Sequence, residues 1–227
     1  LDMRIRDKIK KPQRRVVAYE ILPPREKDGT LNVYAETISS LLSQTHIDAI
    51  NIPEVHDEVG RGERPVSNQE RGEPRKFGML LQDIVGIEAI INRVVVHMPL
   101  KKQMEWIKET YSKYEIDNLI IVGGESSKQK YPGPTVNESL EKISQDNKTR
   151  ENSILCGGIC IPSRKKESKN LIRKSEYGAE FFTTQVLYDS DNIIKMIKNY
   201  QERCDKVKTF PRRILLSFAP VSSQKNI

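Results

Sequence analysis

Apolar and amphipathic stretches alternate along the chain with few interruptions. Val16–Ile21 (VVAYEI) is a short apolar run ended by Pro23-Pro24. Leu31–Leu42 places Leu31, Tyr34, Ala35, Ile38, Leu41 and Leu42 on one side at helical spacing. Ile47–Ile52 is the next apolar run, followed by Pro53, and Arg75–Ile84 has a helical pattern. The same alternation continues with strands over Asn92–His97, Asn118–Val122, Ser153–Ile161, Glu180–Gln185 and Arg213–Ala219. Between them the spacing predicts helices over Lys101–Lys113, Val136–Gln145, Arg164–Glu176 and Asp191–Lys206.

The predicted strands are β-rich and nearly continuous in their apolar residues, as expected of parallel strands buried on both faces. Strict strand–helix alternation leaves an open doubly wound sheet or a closed (β/α)8 TIM-type barrel. The turn after the first strand is Pro23-Pro24-Arg25, which lacks the Gly-rich fingerprint of a dinucleotide fold, so the pattern predicts an α/β barrel. Only seven strands are counted and the sequence begins at Leu1. The expectation is therefore a basic arm over 1–15 and a barrel domain over 16–227. The last strand–helix unit is then absent from this sequence, leaving the domain incomplete at its C-terminus.

The chain has 227 residues and a net charge of +7, unevenly spread. Residues 1–15 hold seven Lys and Arg against Asp2 and Asp7, a net +5. That arm lacks the aromatic residues of a single-strand stacking platform, and it reads as a solvated lead-in with no nucleic-acid partner. No apolar run approaches the roughly 20 residues of a membrane span, and no secretory pattern follows the charged start. A soluble, cytoplasmic protein is expected. Cys156, Cys160 and Cys204 are too few for a disulfide framework, and no His/Cys cluster completes a metal site; they read as reduced structural thiols.

Barrels carry their chemistry at the C-terminal ends of the strands. Those tips read Glu20 with Pro23-Pro24-Arg25, Asn51 to Glu54, His97, Gly123-Gly124-Glu125, Ile161-Pro162-Ser163, Gln185 with Tyr188-Asp189, and Ser217 to Ser222. Glu20 stands out because an ionised carboxylate within an apolar run is costly. Partial burial there would raise its pKa and suit it to general acid catalysis. Gly123-Gly124 directly after a strand would let a flat ligand or a phosphate approach the backbone.

Taken in order, these tips resemble the methylenetetrahydrofolate reductase family. Tyr19-Glu20-Ile21-Leu22-Pro23-Pro24-Arg25 is similar to the family's Phe-Glu-Phe-Phe-Pro-Pro-Arg opening. His97 stands for a histidine ending the third strand, and Val122-Gly123-Gly124-Glu125 resembles an Arg-Gly-Asp tip on the fourth. Asn170, Arg173 and Lys174 with Gly178-Ala179 resemble an Asn-x-x-Arg-Lys helix and its Gly-Ala turn. Thr184-Gln185 with Tyr188-Asp189, and Pro220-Val221-Ser222, resemble the last two motifs.

The resemblance implies an FAD-dependent oxidoreductase that reduces 5,10-methylenetetrahydrofolate to 5-methyltetrahydrofolate. Its hydride would come from NAD(P)H or an electron-donor protein, and the chain could form a homo-oligomer. Glu20 would be the catalytic acid, and Gln185, Glu125 and Tyr188 would contact the folate. His97, Gly123, Gly124, Asn170, Arg173 and Lys174 would hold the FAD. Departures gather on the flavin side. Gly123 replaces an arginine, Ile52-Pro53 replaces Thr-Tyr, Ile161 replaces a tyrosine, and Val186-Leu187 replaces an aromatic face. The alternative is a folate-binding homologue that takes methyltetrahydrofolate without flavin or reductase activity.

Overall fold

In the computed structural model, residues 3–55, 71–124 and 129–220 are described. Helix α1 (Ile5–Lys10) precedes β1 (Ala18–Glu20), a 3-10 turn (Glu26–Asp28), α2 (Leu31–Leu42) and β2 (Ala49–Pro53). Then come α3 (Pro74–Val85), β3 (Ala89–Val94), α4 (Leu100–Tyr114), β4 (Asn118–Val122) and α5 (Val136–Asn147). The order ends with β5 (Leu155–Cys160), α6 (Glu167–Glu176), β6 (Phe181–Val186), α7 (Ser190–Lys206) and β7 (Arg213–Ser217).

Local chemistry sets several boundaries. Thr30 caps α2, its hydroxyl accepting from the Val33 N–H. Thr135 and Glu138 form a reciprocal capping box on α5. Pro74 opens α3, and Gly86 closes it in the left-handed region at φ 72°, where a side chain would be strained.

All seven strands are parallel, in the order β1 to β7. Ala49, Ile90, Ile120, Leu155 and Phe181, one from each of five successive strands, share one apolar cluster with Ile5 and Ile9 of α1. Val16 and Leu215 pack against it from the two ends of the sheet. A flat sheet of seven strands would be about 29 Å across, so these side chains meet only because the sheet curls around them. The opposite face, carrying Ile50, Ile52, Ile91, Leu119, Ile121 and Phe182, packs under the helices as the main core. This is the α/β TIM-type layering expected. Among the described residues β1 and β7 each pair on one side only.

The basic segment folds as α1 and seals the N-terminal end of this curl, in contrast to the solvated lead-in expected. Ile5 and Ile9, four residues apart, both enter the interior. The cations around them meet acids at the starts of the strands. Arg4 pairs with Glu88 at 3.1 Å and Asp117 at 2.5 Å, Lys8 with Asp48 at 3.0 Å, and Lys10 with Glu180 at 3.7 Å. Arg213 of β7 donates to the Ile9 and Arg14 carbonyls at 3.0 and 2.7 Å, and also to the Lys11 carbonyl. The arm thus bridges the first and last strands.

The third strand begins three residues earlier than its sequence pattern suggests. Asn92 and Arg93 lie inside it, while Val95 and Val96 are buried beyond its end, where the chain turns toward α4. His97 therefore sits in that turn and does not end the strand. The three cysteines are buried free thiols; burial pushes Cys160 up to about 12 and raises Cys156 further, which keeps them inert.

Lys8 is only 6% exposed, so its partner matters. Burial pushes Asp48 up, but the Val17 N–H, Lys8 and Arg14 together hold it below the ordinary carboxylate value. An acid lowered by folding stabilises the fold above its unfolded pKa of about 3.9, and that contribution fades as pH falls through the folded value. Asp48→Asn is expected to cost about 2 kcal/mol at neutral pH in denaturant titrations. The gap to wild type should close as the pH is lowered below about 4.

Candidate active site at the strand ends

On the interior face of the sheet, apolar residues give way to polar ones toward the C-terminal ends of β2, β3, β6 and β7, while β4 and β5 stay apolar there through Val122 and Ile159. On β2, Ala49 is followed two residues on by Asn51, and on β3 Ile90 by Asn92. On β6, Phe181 is followed by Thr183, and on β7 Leu215 by Ser217. Two-residue periodicity puts each polar group directly above an apolar one on the same face.

Glu20 ends β1 in register with Asn51, and the Asn51 Nδ2–H donates to its Oε2 at 2.8 Å. Glu20 itself is exposed, contrary to the partial burial expected of it. What holds the carboxylate is this one hydrogen bond, and desolvation is not its setting. Asn51 is 8% exposed and Asn92 9%. The Oδ1 atoms of both are buried and without a hydrogen-bond partner among the described residues. A carboxylate only accepts, so Glu20 fixes the amide of Asn51 with Nδ2 toward it and Oδ1 turned away. Across the mouth the Thr183 and Ser217 hydroxyls lie 3.2 Å apart. Gln185 and Tyr188 are exposed at the end of β6 and just after it.

The β2 and β3 tips are anchored from behind. Arg93 is almost wholly buried and ion-pairs with Glu54, and it donates to Gln103 at 2.9 Å. Its guanidinium stacks on Trp106 at 4.2 Å while Arg75 covers the same ring at 4.4 Å. Glu54 also accepts from the Val94 N–H at 3.0 Å.

The residues assigned to FAD are engaged otherwise. Glu167, fully buried, accepts from the Ile161 N–H at 3.0 Å, Arg164 at 3.3 Å and Asn170 at 3.2 Å. Lys174 lies 3.7 Å from the same carboxylate and donates to the Ile159 carbonyl; burial lowers its pKa, with Glu167 opposing. Arg173 is exposed, its guanidinium 6.0 Å from the Tyr177 ring. The approach that Gly124 permits is made by Tyr131, whose ring carbons come within 2.2 Å of where a Cβ would stand. His97 meets the same ring edge-on at 5.8 Å. Asn170 and Lys174, two of the residues assigned to the FAD, thus hold a buried carboxylate of their own helix, and an aromatic side chain covers Gly124. These residues do not fit the flavin. Glu125, Val221 and Ser222 lie outside the described residues. Among the described residues no group of three His, Cys, Asp or Glu side chains could hold a metal ion, and no helix is long and apolar enough to cross a membrane.

No protein-family model matches the chain, and no characterised protein sequence matches it. Several solved structures share its fold. One is an uncharacterised protein from Clostridium thermocellum that binds two copies of 5-methyl-5,6,7,8-tetrahydrofolic acid. It is 20% identical over 97% of this chain and 72% of that one, with a TM-score of 0.74. Another is 2,3-dimethylmalate lyase, a PEP mutase/isocitrate lyase superfamily member (10% identity, 93% and 79% coverage, TM-score 0.60). A third is phosphonopyruvate hydrolase in complex with oxalate and Mg2+ (10% identity, 94% and 78% coverage, TM-score 0.59). Identities this low establish the shared fold, and membership of the methylenetetrahydrofolate reductase family does not follow from them.

Lys174 separates a structural role from a cofactor role. Lys174→Met removes the cation beside the buried Glu167 and is expected to lower stability by about 2–4 kcal/mol. Glu167→Gln with Lys174→Met should recover part of that loss, as a double-mutant cycle would measure.

Proposed function

We propose that this chain binds a reduced folate of the methyltetrahydrofolate type at the C-terminal mouth of its curled sheet, with Glu20 as the polar anchor and no flavin. The observation that carries this reading is the Glu20–Asn51 pair, a carboxylate held by a buried amide on the strand-end face where such folds bind ligands. A pterin presents N–H and amino donors along one edge. A carboxylate already oriented by one hydrogen bond keeps lone pairs for them. The folate-binding neighbour of the same fold supports the ligand class. Gln185 and Tyr188 would line the outer part of the site.

A flavin-dependent reductase of the methylenetetrahydrofolate reductase type, with Glu20 protonating the folate, is the second reading. Glu20 favours it, and the engagement of Lys174, Asn170 and Gly124 weighs against it.

Titration calorimetry with 5-methyltetrahydrofolate tests the proposal. Wild type is expected to bind, and Glu20→Ala to weaken binding by roughly 10- to 100-fold through loss of a charge-assisted hydrogen bond. The absence of both heat and thermal shift with wild type would remove the reading. A flavin absorbance band in the purified protein would move the second reading ahead.

A further inference from the structure

Two buried acceptors at the mouth have no use in the fold. The Oδ1 atoms of Asn51 and Asn92 are shielded from solvent and receive no hydrogen bond among the described residues. Leaving a buried acceptor unsatisfied costs on the order of 1–3 kcal/mol. Evolution of a stable strand would place Val or Ile there, as at Ile50, Ile52 and Ile91 on the same two strands. The two amides are close in the sheet: Asn51 pairs with Ile90, and Asn92 lies two residues further along β3, opposite Pro53. Both share the interior face with Ala49 and Ile90. With Glu20 they make three acceptors on adjacent strands. The amide of Asn51 cannot swing round to offer a donor instead, because Glu20 engages its Nδ2.

We infer that Asn51 and Asn92 are specificity-determining residues that read ring N–H donors, and so select a reduced pterin over a fully oxidised one. The inference rests on the folate reading above. In 5-methyltetrahydrofolate and in 7,8-dihydrofolate the ring nitrogen N8 carries a hydrogen. In folic acid N8 is aromatic, carries none and is itself an acceptor. Opposite a buried Oδ1 it would create an acceptor–acceptor contact and leave both atoms unsatisfied. A site built to receive a donor rejects the analogue lacking it far more strongly than an apolar pocket rejects a change of size.

The test is calorimetric binding of three ligands, 5-methyltetrahydrofolate, 7,8-dihydrofolate and folic acid, to wild type, Asn92→Leu and Asn92→Asp. Wild type is expected to bind the first two at least roughly 30-fold more tightly than folic acid. Dihydrofolate controls for ring pucker, because it is nearly as flat as folic acid yet keeps the N8 hydrogen. Asn92→Leu is close in size and deletes the acceptor, and it should cut the preference by about tenfold. Asn92→Asp keeps an acceptor there and should retain the preference, so a ratio lost in both variants would overturn the inference. Folate binding by wild type with no preference over folic acid would also overturn it and leave the folate reading standing. The same holds for a preference that Asn92→Leu does not change, the result expected if ordered water alone satisfies these oxygens. Failure of wild type to bind any of the three removes the folate reading itself.

Discussion

A parallel strand flanked by helices buries one face easily; the other face is the constraint on which this molecule depends. Seven strands present an inner apolar row that must be covered, and the row is too wide to be covered flat. Curling brings the inner side chains of all these strands onto one cluster, and α1 supplies its floor through Ile5 and Ile9. The charge pattern follows from the same need. A helix inserted among strand starts lies against the acids there, so its flanking positions favour cations. Arg4, Lys8 and Lys10 meet Glu88, Asp117, Asp48 and Glu180 there. Part of the basicity of the N-terminal segment is thus used inside the fold.

Closing one end of the curl fixes the character of the other. With the floor apolar and sealed, polar groups on the inner face have only the mouth to look into. Asn51, Asn92, Thr183 and Ser217 stand one step above apolar neighbours on their own strands, and Glu20 joins them from the β1 edge. Two-residue periodicity keeps each of these polar groups on the same face as the apolar residue below it.

Much of this was legible in the sequence. The strand–helix alternation was, because the strands are bounded by proline and glycine turns and the helices carry clear periodic faces. Glu20 was, because a charge inside VVAYEI is conspicuous. Asn51 and Asn92 carried the same signal, a polar residue inside an apolar strand, but an amide is less conspicuous than a carboxylate, and Asn92 was hidden at the edge of a misplaced strand. Val94–Val96 pulled that strand toward its C-terminus by composition, although β3 ends at Val94, with the Val95 N–H making one further bond to the Val122 carbonyl at 3.0 Å. Helix α1 was obscured because six residues give too short a window for periodicity, and charges surround its two isoleucines. The engagement of Asn170 and Lys174 within their own helix was visible in spacing alone. Glu167 lies three and seven residues before them, on one helical face, where it takes up both.

The precision of the mouth is set from the outer side of the sheet. Asn51 and Asn92 can act as fixed acceptors only if the ends of β2 and β3 do not slide. The residue next to Asn92 is Arg93, whose side chain points the other way, into the helical layer. A guanidinium there is costly; burial pushes it down, and Glu54 opposes that shift. The cost is offset by the Glu54 pair, the bond to Gln103 and the ring of Trp106, over which Arg75 also lies. Glu54 in turn belongs to the chain just past β2, and its backbone N–H donates to the Asn92 carbonyl at 3.1 Å. One buried cation therefore ties the end of β2 to β3 at the level of the two amides. An apolar side chain at 93 would fill the same space more cheaply, but it would not hold Glu54, and the register of the acceptors would rest on backbone pairing alone. The buried arginine behind the sheet and the buried amides in front of it are two sides of one arrangement, in which stability is given up to keep hydrogen-bonding groups in place.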